Sequence, residues 1–236
     1  MTPTHSTSKA GDRLANWQPR ERPGQWPLVG TRISLEPLNW DAHGDGLFAS
    51  IAGAGNAAIW DYMPIGPFTD LAAFRRTFEH VCDRFGWETL VFKRTRDHQI
   101  VGMASYMRIR EEHGSAEVGC VAFSDALKRT AEASEAMYLM AAHVFDELGY
   151  RRYEWKCHNE NKASKRAALR FGFAFEGIFR NDMVLDGENR DTAWYAMTDT
   201  DWPSVKAGYE AWLSPNNFDS DGWQKQKLAT TQKRIA

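Results

Sequence analysis

The chain has 236 residues, 43% of them apolar and 25% charged, with ten Trp, which excludes disordered, collagen-like and disulfide-scaffold proteins. Its formal net charge is −2 and it has no sustained Lys/Arg run, so neither nucleic acid nor a membrane surface is an expected partner. No apolar stretch approaches the ~18 residues of a membrane span, the opening MTPTHSTSKAGDRLANW lacks the apolar core of a secretory signal, and Cys82, Cys120 and Cys157 form no C-x-x-C pair, so a reducing cytoplasm without structural zinc or disulfides is expected.

Residues 1–29 read as a polar tail and a Pro-rich arm (Pro19, Pro23, Pro27) that can pack through Trp17 and Trp26. Thr31–Glu36 alternates with period two and stops at Pro37, the pattern of a short strand. Trp40–Ile51 has helical spacing interrupted by Gly and Asp, and Trp60–Phe68 is aromatic and punctuated by Gly and Pro, incompatible with a regular helix or central strand. Thr69 or Asp70 can cap the following helix, whose apolar face is Leu71, Phe74, Phe78, Val81, Cys82 and Phe85.

From residue 87 the period becomes two. Glu88–Arg94, Ile100–Arg110 and Ala116–Phe123 are predicted as an antiparallel meander with turns at Thr95–His98 and His113–Ser115. After a polar connection, Ser124–Arg129, a strongly amphipathic helix runs from Ala133 to Leu148 and stops at Gly149. Arg152–Cys157 is a strand; the intervening helix makes a β-α-β unit with Ala116–Phe123. Asn161 opens a helix ending at Phe171-Gly172, and Phe173–Leu185 and Arg190–Thr198 form a hairpin around Asp186-Gly187. A weakly amphipathic helix near Trp202–Trp212 precedes a polar tail.

This order places a long helix N-terminus directly after the third meander strand. Such an end offers unpaired N–H groups and a partial positive charge, suited to a phosphate. The segment there, Lys128-Arg129-Thr130-Ala131-Glu132-Ala133-Ser134-Glu135, reads equally as an anion site or as a capped, solvated helix end. No Walker A, H-E-x-x-H or G-x-S-x-G motif is present, and the seven His show no metal-ligand spacing.

Three features in order then carry a likeness: Ser134-Glu135-Ala136 opening the helix, Asn161-x-x-Ser164 ahead of Gly172-Phe173, and the closing Glu176-Gly177…Asp191 hairpin. Over residues 30–199 the chain resembles the GNAT superfamily of acyl-CoA N-acyltransferases, most of all its RimJ/RimL-type branch of ribosomal-protein N-terminal acetyltransferases. The resemblance implies an α+β fold with a mixed, mostly antiparallel, splayed sheet and helices on both faces, flanked by the 1–29 arm and a 200–236 C-terminal extension. It implies acetyl-CoA as co-substrate, coenzyme A as co-product and no metal.

The family's pyrophosphate loop, Gln/Arg-x-x-Gly-x-Gly/Ala, falls here on Lys128, Ala131 and Ala133. Ala tolerates positive φ poorly, so either the loop is locally helical or the cofactor sits further away. By resemblance, the N–H groups of residues 129–134 (Arg129, Thr130, Ala131, Glu132, Ala133, Ser134) hold the diphosphate. Cys120, Val121, Ala122 and Phe123 offer main-chain groups to the pantetheine, Asn161 is a pantetheine ligand, and Lys165 and Arg166 screen phosphates.

Amide-forming transfer needs a neutral amine and a proton for the departing thiolate. Glu117 stands where this branch has a proposed base, the other reading being a sheet-face salt bridge. Many family members carry a Tyr seven residues after the Asn; that position is Ala168, and the branch's alternative is Ser164, which also reads as a first-turn helix Ser. The Trp60, Asp61, Tyr62 and Met63 segment either walls an amine site or plugs an irregular loop. The expected activity is acetyl transfer to a primary amine: a protein N-terminus, peptide, aminoacyl compound or small amine. The alternative is an inactive acyl-CoA-binding module of the same fold, and the terminal extensions could serve a homodimer interface.

Overall fold

The computed structural model describes residues 14–185, 187–220 and 222–230. The first 13 residues, Asp186 of the expected hairpin turn and the last six residues lie outside them.

In chain order the elements are β1 (Leu28–Val29), β2 (Ile33–Pro37), α1 (Trp40–Ile51), α2 (Leu71–Phe85), β3 (Glu88–Arg94), β4 (Ile100–Arg110), β5 (Ser115–Phe123), α3 (Ala131–Ala142), β6 (Arg152–His158), α4 (Lys162–Arg170), β7 (Ala174–Leu185), β8 (Glu188–Thr198) and α5 (Trp202–Leu213). The strands form one eight-stranded sheet, ordered β1-β2-β3-β4-β5-β6-β8-β7. Every neighbouring pair is antiparallel except β5 and β6, which α3 joins as a parallel crossover.

Alternate strand residues feed two cores. On one face Leu35, Phe92, Tyr106, Val118, Tyr153 and Tyr195 pack with α3, α4 and α5; on the other, Val91, Met103 and Ala122 pack with Leu47, Phe74 and Phe78 of α1 and α2. The fold is therefore the α+β arrangement expected, with helices on both faces. The C-terminal α5 belongs to the first core, buried through Trp202, Val205 and Tyr209.

Two sequence readings change in detail. α1 forms despite its glycines because Asn39 accepts hydrogen bonds from the Asp41 and Ala42 N–H groups and because Gly46 lies against Ile100, whose side chain a Cβ would meet at 2.7 Å. The long helix after β5 keeps α geometry only to Ala142; His143–Glu147 widens into a π turn before Gly149. The Tyr106 hydroxyl donates to the Met140 carbonyl at 2.9 Å, holding a carbonyl just before the altered turn.

Candidate active site

β5 and β6 pair only from Ser115↔Arg152 to Val118↔Trp155. Beyond that point both strands continue, but apart: Gly119, Ala122 and Phe123 stay on β4, while Lys156, Cys157 and His158 stay on β8. The cause is a bulge. Gly119 pairs with Ser105 and Ala122 with Met103, so Cys120 and Val121 together oppose Ala104, and Cys120 takes φ 48°. An extra residue of this kind bends its strand and raises the local twist. The sheet opens into a notch whose β5 wall presents main-chain groups released from β6.

α3 begins beside this notch. Thr130 caps it, accepting from the Ala133 N–H at 3.2 Å and donating to the Leu127 carbonyl at 2.7 Å. The Thr130 N–H is engaged by Leu127 at 3.3 Å, which leaves the N–H groups of Ala131 and Glu132 without an intrahelical acceptor. Ala131 is the first helical residue, and the left-handed position falls on Arg129, φ 64°. The locally helical alternative is therefore the one adopted. Arg129 and Lys128 are exposed, Lys128 paired with Asp125 at 2.8 Å. Ser134 is buried against Arg170. Glu135 is also buried, accepting from the Thr31 and Arg32 N–H groups and thereby anchoring the start of β2.

Glu117 faces away from α3. It is 3% exposed; its Oε2 accepts from Arg108 Nε at 2.6 Å and lies 3.5 Å from Lys156 Nζ. Arg108 reaches it through a second bulge: Met107 pairs with Glu117 and Arg110 with Ser115, and Arg108 has φ 43°. Burial pushes the Glu117 carboxyl up to about 7, against the pull of Arg108 and Arg190. Its Oε1 points toward Gly119, where a Cβ would stand 3.0 Å from that oxygen and collide with the Met107 sulfur. The salt-bridge reading of Glu117 holds at Oε2, while Oε1 has no hydrogen-bond partner among the described residues. The neighbouring Glu154 is held by Arg110 at 2.7 Å and Arg152 at 2.6 Å.

On the β6 wall, Asn161 Oδ1 caps α4 by accepting from the Ser164 N–H at 2.9 Å. Ser164 Oγ accepts from Trp155 Nε1 at 3.0 Å. It also hydrogen-bonds Cys157, which moderates the rise that burial imposes on that thiol. Lys165 is tied to the Asn159 carbonyl and side chain at 3.2 and 2.9 Å.

The irregular Trp60–Phe68 segment divides in two. Trp60 turns into the second core, its Nε1 donating to Ile51 at 2.8 Å and its ring edge-on to Phe68 and Phe74. Tyr62 and Met63 reach outward to opposite walls of the notch, Met63 Sδ lying 3.9 Å from Cys120 Sγ and the Tyr62 ring 5.4 Å from that of His158. Asp61 is exposed. The segment spans the opening on the face that carries Glu117.

Sequence reasoning missed Arg108 and Lys156 at Glu117, and a row on β8: Arg190, Thr192 and Trp194. The first two depend on a bulge and on strand pairing. The row was visible as one face of the alternating Arg190–Thr198 strand.

A sheet opened between two parallel strands, with a capped helix end at the opening, is the splayed arrangement that the resemblance to the acyl-CoA N-acyltransferases implies. A family model described as an acetyltransferase (GNAT) domain matches residues 32–174, more than half of the chain, and the chain belongs to the GNAT N-acetyltransferase family. A GCN5-related N-acetyltransferase from Brucella melitensis matches in crystal structure at TM-score 0.85 with 41% identity, over 90% of this chain and 96% of that one. The ribosomal-protein-serine acetyltransferase of Escherichia coli is 27% identical over 107 residues, 45% of this chain and 58% of that protein; the chain spans little more than half the length of the curated relatives it matches. A RimL ribosomal α-N-protein acetyltransferase solved in complex with coenzyme A shares the fold at TM-score 0.61 and 20% identity, over 73% of this chain and 97% of that one. These neighbours are consistent with the RimJ/RimL-like branch. Among the described residues no group of three or more His, Cys, Asp or Glu is arranged to hold a metal ion, and no helix is long and apolar enough to cross a membrane.

Proposed function

We propose that this chain transfers the acetyl group of acetyl-CoA to a primary amine by direct attack in a ternary complex. Acetyl-CoA supplies the acyl group already activated as a thioester. The freed β5 main chain at Cys120–Phe123 suits an amide-bearing arm, and the Ala131 and Glu132 N–H groups at the positive end of α3 suit a diphosphate, with Arg129 as the nearby exposed cation.

The observation that carries the reading is Glu117, a buried carboxyl raised to about 7 and placed one residue before the last pair of β5 with β6. An alkylammonium must lose a proton before its nitrogen can attack, and a base with a pKa near the working pH does this best. Glu117 takes that proton at Oε1, its other oxygen being fixed by Arg108. Ser164, on the β6 wall, is the hydroxyl available to the departing sulfur.

The test is release of free thiol from acetyl-CoA across amines, peptides and aminoacyl compounds as a function of pH. Turnover rising with pH to a midpoint near 7, and abolished in Glu117→Gln, is expected. A profile unchanged by that substitution removes Glu117 from the mechanism. Binding of acetyl-CoA with no thiol release from any acceptor favours the inactive module instead.

A further inference from the structure

A row of side chains beside Glu117 is left without work by this chemistry. Arg190, Thr192 and Trp194 occupy alternate positions of β8, so they share a face; Ala193 and Tyr195, on the opposite face of the strand, go to the core under α3 and α4. That face is the one carrying Lys156, which pairs across the strands with Trp194 and holds its Nζ 5.1 Å from the indole centroid. Through Lys156 and Arg108, each over the Trp194 ring and each at Glu117 Oε2, the row is continuous with the proposed base.

Each member has a buried polar atom with no hydrogen-bond partner among the described residues: Arg190 Nε, Thr192 Oγ1 and Trp194 Nε1. Arg190 is 7% exposed and Thr192 0%. The carboxylates of Asp182 and Glu117 act on the Arg190 guanidinium through space, and burial lowers its pKa. Leaving one such buried group without a hydrogen-bond partner is expensive. Three in a row on one strand face mark a place where something else supplies the partners.

The chemistry of that partner follows from the row. Guanidinium and indole N–H groups only donate, and the hydroxyl can, so the partner brings acceptor oxygens. The charge balance says more. Arg108, Lys156 and Arg190 face two carboxylates, Glu117 and, through space at Arg190, Asp182; Glu154 is already taken by Arg110 and Arg152, so one positive charge is in excess. A neutral peptide carbonyl would leave this excess of positive charge unanswered; a carboxylate matches it.

We propose that Arg190, Thr192 and Trp194 form the acceptor's anion subsite, and that the acceptor is a small amino acid whose own carboxylate docks there. The inference rests on the acetyltransferase reading above and narrows its acceptor class. The amine end meets Glu117 Oε1, and the carboxylate end takes the orphaned donors of β8.

The test compares four acceptors in the thiol-release assay: an amino acid, its amide, the amine lacking the carboxylate, and a tripeptide starting with the same residue. The amino acid is expected to exceed the other three in kcat/KM by roughly 10-fold or more, the scale of one charge-assisted hydrogen bond. Thr192→Val deletes only an unpartnered hydroxyl, so it folds; it should raise KM for the amino acid more than for the amine, as should Arg190→Gln. Calorimetry gives a second readout: the N-acetylated amino acid should bind the coenzyme A-saturated protein more tightly than its amide, with the difference reduced in Thr192→Val. Equal or better use of the amide, amine or tripeptide overturns the inference, leaves the acetyltransferase reading standing, and makes the row a site of internal water. Absence of thiol release from every acceptor defeats the acetyltransferase reading, and the inference with it.

Discussion

The two faces of the sheet at β5 and β6 are made from alternate residues of the same strands, yet their chemistries are opposite. Toward α3 lie Ala116, Val118, Tyr153 and Trp155, sealed against Ala136, Met137 and Met140. Away from α3 lie Glu117, Glu154 and Lys156, with Trp194, Thr192 and Arg190 alongside on β8. Burying an apolar side chain stabilises by roughly 1.5–3 kcal/mol, whereas taking a carboxylate out of water costs several kcal/mol before any pairing offsets it. The first face holds the fold together. The second is costly to bury, and on the mechanism proposed above its carboxyl serves the chemistry at the notch.

The sharpest way to break this contrast is Glu117→Gln. Loss of a general base lowers turnover by roughly 10²–10⁴-fold. The same change should stabilise the fold at alkaline pH. The folded carboxyl titrates at about 7, above its ordinary value, so between the two the folded state binds a proton the unfolded state does not, and stability falls as pH rises through that window. Gln removes the fall, a gain of roughly 3 kcal/mol above pH 7 that vanishes near pH 4. Urea denaturation of both proteins at pH 4, 6 and 8 measures it; a variant less stable than the parent at pH 8 would mean that the Arg108 and Lys156 pairings outweigh burial.

Met140→Ala on the opposite face should reverse the pattern, costing about 2–5 kcal/mol of stability for the cavity while the folded fraction keeps its kcat within a few-fold. Between the two stands Gly119→Ala. Its Cβ meets both Met107 and Glu117 Oε1, so it should cost about 1–3 kcal/mol as overpacking and, by shifting the carboxylate, up to about 100-fold in kcat. A Gly119→Ala enzyme with normal kcat would show that Oε1 is not where the amine arrives.

Much of the frame was legible because it rests on period and punctuation. Alternation marked β3, β4, β5 and β8, Gly149 and Gly172 marked stops, and Asn161 marked a cap. The place where the sheet opens was not legible, since nothing in the sequence says that pairing ends at Val118↔Trp155. It depends on a bulge at Cys120, and Cys120 is no obvious candidate for a left-handed φ. Likewise Arg108 meets Glu117 only because a second bulge turns it there. Tyr62 and Met63 reach the notch as the sequence allowed, but Trp60 beside them is core: an aromatic run carries no mark of which ring turns inward. Arg190, Thr192 and Trp194 share a readable face; what could not be read was that no neighbour satisfies them.

The smallest effects concern the tip of α3, where sequence and structure assign the left-handed turn to different residues. The family pattern puts its Gly at Ala131, but Ala131 is helical and Arg129 carries φ 64°. An L-residue in that region is strained by roughly 1–2 kcal/mol, partly offset on replacement by the extra chain entropy of Gly, about 0.4–1 kcal/mol. Arg129→Gly is therefore expected to stabilise by about 0.5–1 kcal/mol, and Ala131→Gly, inside the first helical turn, to destabilise by about as much. KM for acetyl-CoA should rise a few-fold in Arg129→Gly alone, because only that change removes a cation near the helix end. Equilibrium denaturation of the two variants reads the opposite signs. If both lose stability, the turn sits elsewhere in solution, and if both gain, α3 starts later than Ala131 and more of its N–H groups face the notch.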